Sequence, residues 1–245
     1  PTATYHRNTL TYLLRQRYGD PAPHIAHRLD RETSGIVLCG RHLEAERAPK
    51  RAFENRETDK TYLAIVEGEL TDDRGTIDLP LAAVDDPGGG DPRGAGRSRR
   101  RDPYCRARER ALHVLMEVSE GGAPAVSPFE VHARRGGRTL VALRPETGRQ
   151  HQLRVHMAAL GHPVVGDKLY GPGGPDVFLE YIETGMTDAL AARAGHVRQA
   201  LHAHALTLAH PASGEPLTLR SDLPQDLRAL WAGEVPGIDS GGIRG

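Results

Sequence analysis

Cysteine is scarce in this chain. Its 245 residues hold two, Cys39 and Cys105, too few for a disulfide framework and without the spacing of a zinc motif. Both are expected to be inert thiols in a reducing compartment. No apolar run approaches the ~20 residues that a membrane span needs. No basic-then-apolar leader opens the sequence, so the expected address is cytoplasmic. Net charge is also lacking: 32 Lys and Arg balance 32 Asp and Glu, which argues against an indiscriminate polyanion binder. Several chemistries lack their motifs. There is no Gly-x-x-x-x-Gly-Lys-Ser/Thr, no Gly-x-Gly-x-x-Gly, no Gly-x-Ser-x-Gly and no His-Glu-x-x-His. Among the 13 histidines, His151 and His156 are five apart and share no helix face. His202 and His204 share a strand face, but no third ligand has a recognisable spacing. Hydrogen-bonding histidines fit better than a metal centre.

With 38% hydrophobic and 26% charged residues, the chain reads as a globular protein able to bury a substantial core. Its charge is unevenly spread. Between Glu130 and Tyr170 seven basic residues (Arg134, Arg135, Arg138, Arg144, Arg149, Arg154, Lys168) face three acids, and Arg97, Arg99, Arg100 and Arg101 form a second cluster. A basic face on a neutral protein suits RNA or phosphate. Periodicity predicts helices over 8–18 (capped by Asn8), 42–57, from Thr147-Gly148 to about Leu160, 176–193 and 223–231. Pro49 predicts a kink in the second helix, or a later start. Strands are predicted at 36–39, 60–68, 75–79, 107–118, 126–134, 138–144, 203–209 and 215–220. Residues 85–103, rich in Asp, Pro, Gly and Arg, read as a flexible insertion. Blocks of strands with interspersed helices predict an α+β fold on a mostly antiparallel sheet. No internal repeat is visible.

The densest polar stretch is His27-Arg28-Leu29-Asp30-Arg31-Glu32-Thr33-Ser34-Gly35, set directly before the apolar Ile36-Val37-Leu38-Cys39. Two readings fit it. One is a plain turn, with Asp30 accepting N–H bonds and Gly35 supplying a positive φ. The other is a polar cleft lining at the mouth of a strand. Tyr62 on the strand behind Lys60 either packs in a sheet or serves a site. Arg154 is either a solvated helix residue or a functional cation. Spacing alone does not bring the three together.

Three blocks resemble the RluA-type pseudouridine synthases, in that family's order. They are the His27–Gly35 stretch, Lys60-Thr61-Tyr62-Leu63-Ala64-Ile65-Val66-Glu67-Gly68, and a 28-residue run from Arg144 to Gly171 that contains Thr-Gly-Arg-Gln-His-Gln-Leu-Arg-Val-His. The segment Leu201–Pro211 is similar as well, so the resemblance spans nearly the whole chain outside residues 85–103 and the last dozen. It implies a mixed, mostly antiparallel sheet with a central RNA-binding cleft and flanking helices. The implied activity is isomerisation of a specific uridine to pseudouridine in structured rRNA or tRNA, without metal or cofactor. The implied catalytic residues are Asp30, Tyr62 and Arg154. Arg28 matches the position tied to base flipping, and Thr33, Arg149, His151 and Gln152 are expected RNA contacts. The alternative is a catalytically silent RNA-binding protein of the same fold. Expected organisation is a single catalytic domain over 1–245, monomeric, binding neither DNA nor membrane. No small N-terminal RNA-binding domain of the family is expected in it, and the family's usual opening strand is missing at Pro1, as in a fragment or a divergent member.

Overall fold

A computed structural model describes residues 9–84 and 115–233. The predicted loop at 85–103, the arginine cluster within it, Cys105, and the predicted strand residues 107–114 lie outside the described residues. The chain divides into two compact units, Pro1–Thr61 with Ala203–Asp222 and Tyr62–His202 with Leu223–Gly245.

The first unit opens with α1 (Leu10–Tyr18), capped by Thr9, whose hydroxyl accepts the Tyr12 N–H at 3.2 Å. Asn8, the expected cap, lies outside the described residues. The helix stops at Gly19, and β1 (His24–Ile25) follows. Where a single strand at 36–39 was expected, two short pieces form instead: β2 (Ser34–Gly35) and β3 (Cys39–Gly40). β3 pairs antiparallel with β1. The apolar run between the pieces is still tied down, Ile36 N–H donating to the Ala203 carbonyl at 3.1 Å.

Helix α2 (Leu43–Glu54) begins at His42, whose side chain accepts the Ala45 N–H, and runs on past a buried Pro49. It therefore does not start near the proline. Its cap, together with Glu44 and Glu46 in the positive first turn, offsets the one missing N–H donor. The unit closes with the antiparallel hairpin of β10 (Leu201–Ala209) and β11 (Pro216–Arg220).

Gly35 fixes how the polar stretch meets β10. Its φ is +118°, and a Cβ there would run into the Ala203 carbonyl oxygen and lie 2.6 Å from the Ala203 nitrogen. Gly35→Ala is therefore expected to cost about 1–3 kcal/mol, measured as a lower denaturant midpoint. An unchanged midpoint would show that this close approach does not hold the stretch in place.

The second unit is built on four antiparallel strands. β4 (Asp59–Glu67) pairs with β9 (Arg138–Leu143), β9 with β8 (Val126–Arg135), and β8 with β5 (Arg74–Asp78). Leu63 to Val66 are all buried, so β4 is covered on both faces rather than alternating. Ile65, Val66, Val141, Leu143, Met157, Val164 and Leu227 form the centre of this core. A separate antiparallel pair joins β6 (Leu81–Ala83) and β7 (Met116–Val118).

Helix α3 (Gln152–Ala159) starts later than Thr147-Gly148 predicts. Side chains at 147 and 152 bond to each other and to neighbouring backbone, which competes with a helical turn. The predicted helix over 176–193 is two, α4 (Gly174–Thr184) and α5 (Asp188–Ala194). Gly185, at φ +73°, ends the first and Thr187 caps the second. Helix α6 (Gln225–Ala232) completes the described chain. No described helix is long and apolar enough to cross a membrane.

Candidate functional site

In the first unit, Asp30 and Thr33 bound one turn, and Arg28 lies two residues before it. The Thr33 N–H donates to the Asp30 carbonyl at 3.0 Å. Arg28 is exposed and Asp30 half-buried. His27 anchors the approach: its Nε2 accepts the Leu38 N–H at 3.0 Å, and its ring packs on Phe53 with centroids 4.3 Å apart. Burial, with a smaller contribution from the Lys60 charge, pushes His27 below its ordinary value against a bond to the Arg28 backbone. It is a neutral strut at physiological pH. Lys60 is itself lowered, by burial first and Arg56 second, with Asp59 opposing. Cys39 is half-buried, and burial raises its thiol, so little thiolate forms at neutral pH.

The second unit holds Tyr62, Arg149, His151, Gln152 and Arg154. Tyr62 lies near the start of β4, opposite Leu143 in register and packed against the core. Gln152 is buried, and both ends of its amide are used internally. Its Oε1 accepts from Thr147 Oγ1 at 2.7 Å and from the Arg149 N–H at 3.0 Å. Its Nε2 donates to the Val126 carbonyl and to Ser127 Oγ, both at 2.9 Å. Arg149 Nε donates to the Pro124 carbonyl at 3.1 Å. His151 adopts φ +54°, an uncommon conformation outside glycine, and its Nδ1 sits 2.8 Å from the Tyr170 hydroxyl. That strained residue ends the loop and starts α3.

Arg154 is not the solvated helix residue of the simpler reading. Its side chain is 6% exposed, and the Asp167 side chain that faces it is fully buried. Nε and Nη2 of Arg154 donate to Oδ2 and Oδ1 of Asp167 at 2.6 and 2.8 Å, a bidentate fork. Oδ1 also accepts the N–H groups of Leu169 and Tyr170 at 2.9 and 3.1 Å. Burial alone pushes the Asp167 carboxyl up. The bonds and charge of Arg154, with the two N–H donors, outweigh it and hold the group below the usual carboxylate range. The Tyr170 ring lies against the guanidinium, 5.0 Å from centroid to Cζ.

Asp167 and Tyr170 were visible in the sequence only as part of the Arg144–Gly171 block. The available signal was an aspartate placed directly after Val164-Val165-Gly166, where a buried acid demands a cation. The basic excess between Glu130 and Tyr170 is in part internal pairing. Arg134 meets Asp73 at 2.8 Å, Arg144 meets Glu130 at 2.9 Å, and Lys168 donates to the Val197 carbonyl at 3.0 Å.

A family model described as RNA pseudouridylate synthase matches residues 1–159. The chain belongs to the RNA pseudouridylate synthase family. It is 37% identical over 209 residues to the dual-specificity RNA pseudouridine synthase RluA of Haemophilus influenzae, covering 85% of this chain and 76% of that protein. It is 36% identical over 213 residues to ribosomal large subunit pseudouridine synthase D of Xanthomonas campestris, covering 86% of this chain and 55% of that protein. The chain thus spans about half the length of the large-subunit synthases it matches. Among solved structures, human RNA pseudouridylate synthase domain containing 1 aligns with a TM-score of 0.60 at 27% identity, covering 94% of this chain and 87% of that one. The α+β fold with a mostly antiparallel sheet is that of pseudouridylate synthase domains.

Proposed function

We propose that this chain is an RNA pseudouridine synthase that isomerises a uridine in structured ribosomal or transfer RNA. The observation that carries the reading is Arg154, a buried guanidinium held in one orientation, in a family chain that also keeps Asp30 and Tyr62. The names of the relatives, one ribosomal and one dual-specificity, support RNA of those two classes as substrate.

In the reaction the glycosidic N1–C1′ bond breaks, the uracil turns, C5 joins C1′ and gives up its proton, and N1 takes a proton up. Asp30 supplies the carboxylate that attacks C1′ or removes the 2′ proton. A guanidinium favours the ionised form of a carboxylate withdrawn from water, the part given to Arg154. Tyr62 stacks on the uracil and assists departure of the C5 proton. Arg28, Thr33, Arg149 and His151 contact RNA, while Gln152 contributes by holding the Arg149 backbone. The reading takes residues 1–245 as one catalytic domain, monomeric and cytoplasmic, with no metal or cofactor.

The test is tritium release from RNA labelled at C5 of uridine. Release by the wild-type chain, abolished in Asp30→Asn, supports the reading. RNA binding without release points to a silent binding protein instead.

Arg28 gives a second test. A target base must leave its stack, at a cost of a few kcal/mol that is least for an unpaired nucleotide. Arg28 is exposed and lies two residues before Asp30, the first residue of the turn. Arg28→Ala is expected to slow turnover of a paired stem-loop by at least about tenfold more than that of an RNA with an unpaired target. Equal loss on both substrates would leave only a surface ion pair, worth ~0–1 kcal/mol.

A further inference from the structure

The turn after α3 carries two side chains that the reaction scheme above leaves unused. We propose that Asp167 and Tyr170 form a clamp that positions Arg154 for catalysis, a role that rests on the functional reading just given. Asp167 grips the edge of the guanidinium formed by Nε and Nη2, and the guanidinium carbon sits over the Tyr170 ring, 5.0 Å from its centroid. The bidentate grip and the ring contact together hold this planar group in one orientation, so the Nη1 side is aimed in a single direction.

The clamp is itself braced. The carboxylate oxygen Oδ1 that takes one guanidinium bond also accepts the Leu169 and Tyr170 N–H groups, so one anion shapes the turn and grips the cation. Gly166, at φ +78°, brings the turn against Arg198, where a Cβ would lie 2.8 Å from the carbonyl carbon. The Tyr170 hydroxyl accepts the Met116 N–H at 2.9 Å and bonds His151 Nδ1 at 2.8 Å, which fixes the ring plane. The neighbouring cation is directed elsewhere: Lys168 bonds the Val197 carbonyl and lies 4.7 Å from the Tyr181 ring centroid.

Stability does not account for the pair. A buried ion pair is commonly no better than apolar residues of the same volume, because desolvation offsets the attraction. What the pair does supply is orientation, and catalysis is where orientation has value.

The test is a cycle of variants read by tritium release, with melting curves as the check on folding. Asp167→Glu keeps the charge but displaces the guanidinium by about a bond length. Its kcat is expected to fall roughly 100-fold, with KM within about threefold of wild type. Because Asp167 acts through Arg154, Arg154→Lys combined with Asp167→Glu should be no slower than Arg154→Lys alone. Wild-type kcat in Asp167→Glu, or losses that multiply in the double variant, would overturn the clamp. Should Asp167→Glu fail to fold, Tyr170→Leu removes the ring contact and leaves the ion pair. It is expected to lose about tenfold in kcat at constant KM, and an unchanged kcat would equally overturn the proposal. An active wild type with indifferent clamp variants sinks the clamp alone. A wild type that releases no tritium sinks the functional reading, and the clamp with it.

Discussion

Asp30→Asn is expected to remove turnover, lowering kcat by at least about 10³-fold, while leaving the fold and RNA affinity nearly intact. Asparagine keeps the size of the side chain but can neither attack C1′ nor take a proton. The main-chain carbonyl of residue 30, which the substitution keeps, receives the Thr33 N–H. Asparagine is also at home in turns. Melting temperature and RNA dissociation constant, measured beside tritium release, separate a chemical loss from a structural one. Activity within tenfold of wild type would remove Asp30 from the catalytic role. Loss of RNA binding in step with turnover would make it a binding residue instead.

What could be read from sequence and what could not divides along physical lines. The strands around Tyr62 and from Val126 to Leu143 were legible because β-branched runs between turn residues have few alternatives. Helix α3 starts later than periodicity predicts because Thr147, Gln152 and the backbone of Arg149 satisfy one another across five residues, a network that periodicity does not encode. The helix expected over 176–193 broke at Gly185 because a glycine with positive φ outweighed a continuous apolar face. Gln152, an RNA contact by the family resemblance, is buried with both ends of its amide occupied. Arg154 was named for its motif, but its counter-ion was not, since residues 154 and 167 meet only once the turn at Gly166 folds back.

That counter-ion makes the second large effect a matter of stability as well as rate. Arg154→Ala leaves the Asp167 carboxylate buried with no guanidinium, and breaking a buried pair from one side costs about 3–5 kcal/mol. In the wild type the folded-state pKa of Asp167 is depressed, so its contribution is fully present above the unfolded value, about 3.9. It is lost only as pH falls through the still lower folded value. Without Arg154 the burial that already opposes ionisation dominates, and the folded pKa rises above the unfolded one. The folded variant then binds more protons than the unfolded chain between those two values, so its stability falls as pH rises through that window. The Leu169 and Tyr170 N–H groups still reach Oδ1, which limits the rise and lets the turn survive. Denaturant unfolding at several pH values from 8 down to 5 should therefore show the gap between wild type and Arg154→Ala narrowing with acid. Adding Asp167→Asn to the variant removes the titrating group and should make the gap independent of pH. A gap that stays constant in Arg154→Ala would mean that Asp167 does not depend on Arg154 for its charge.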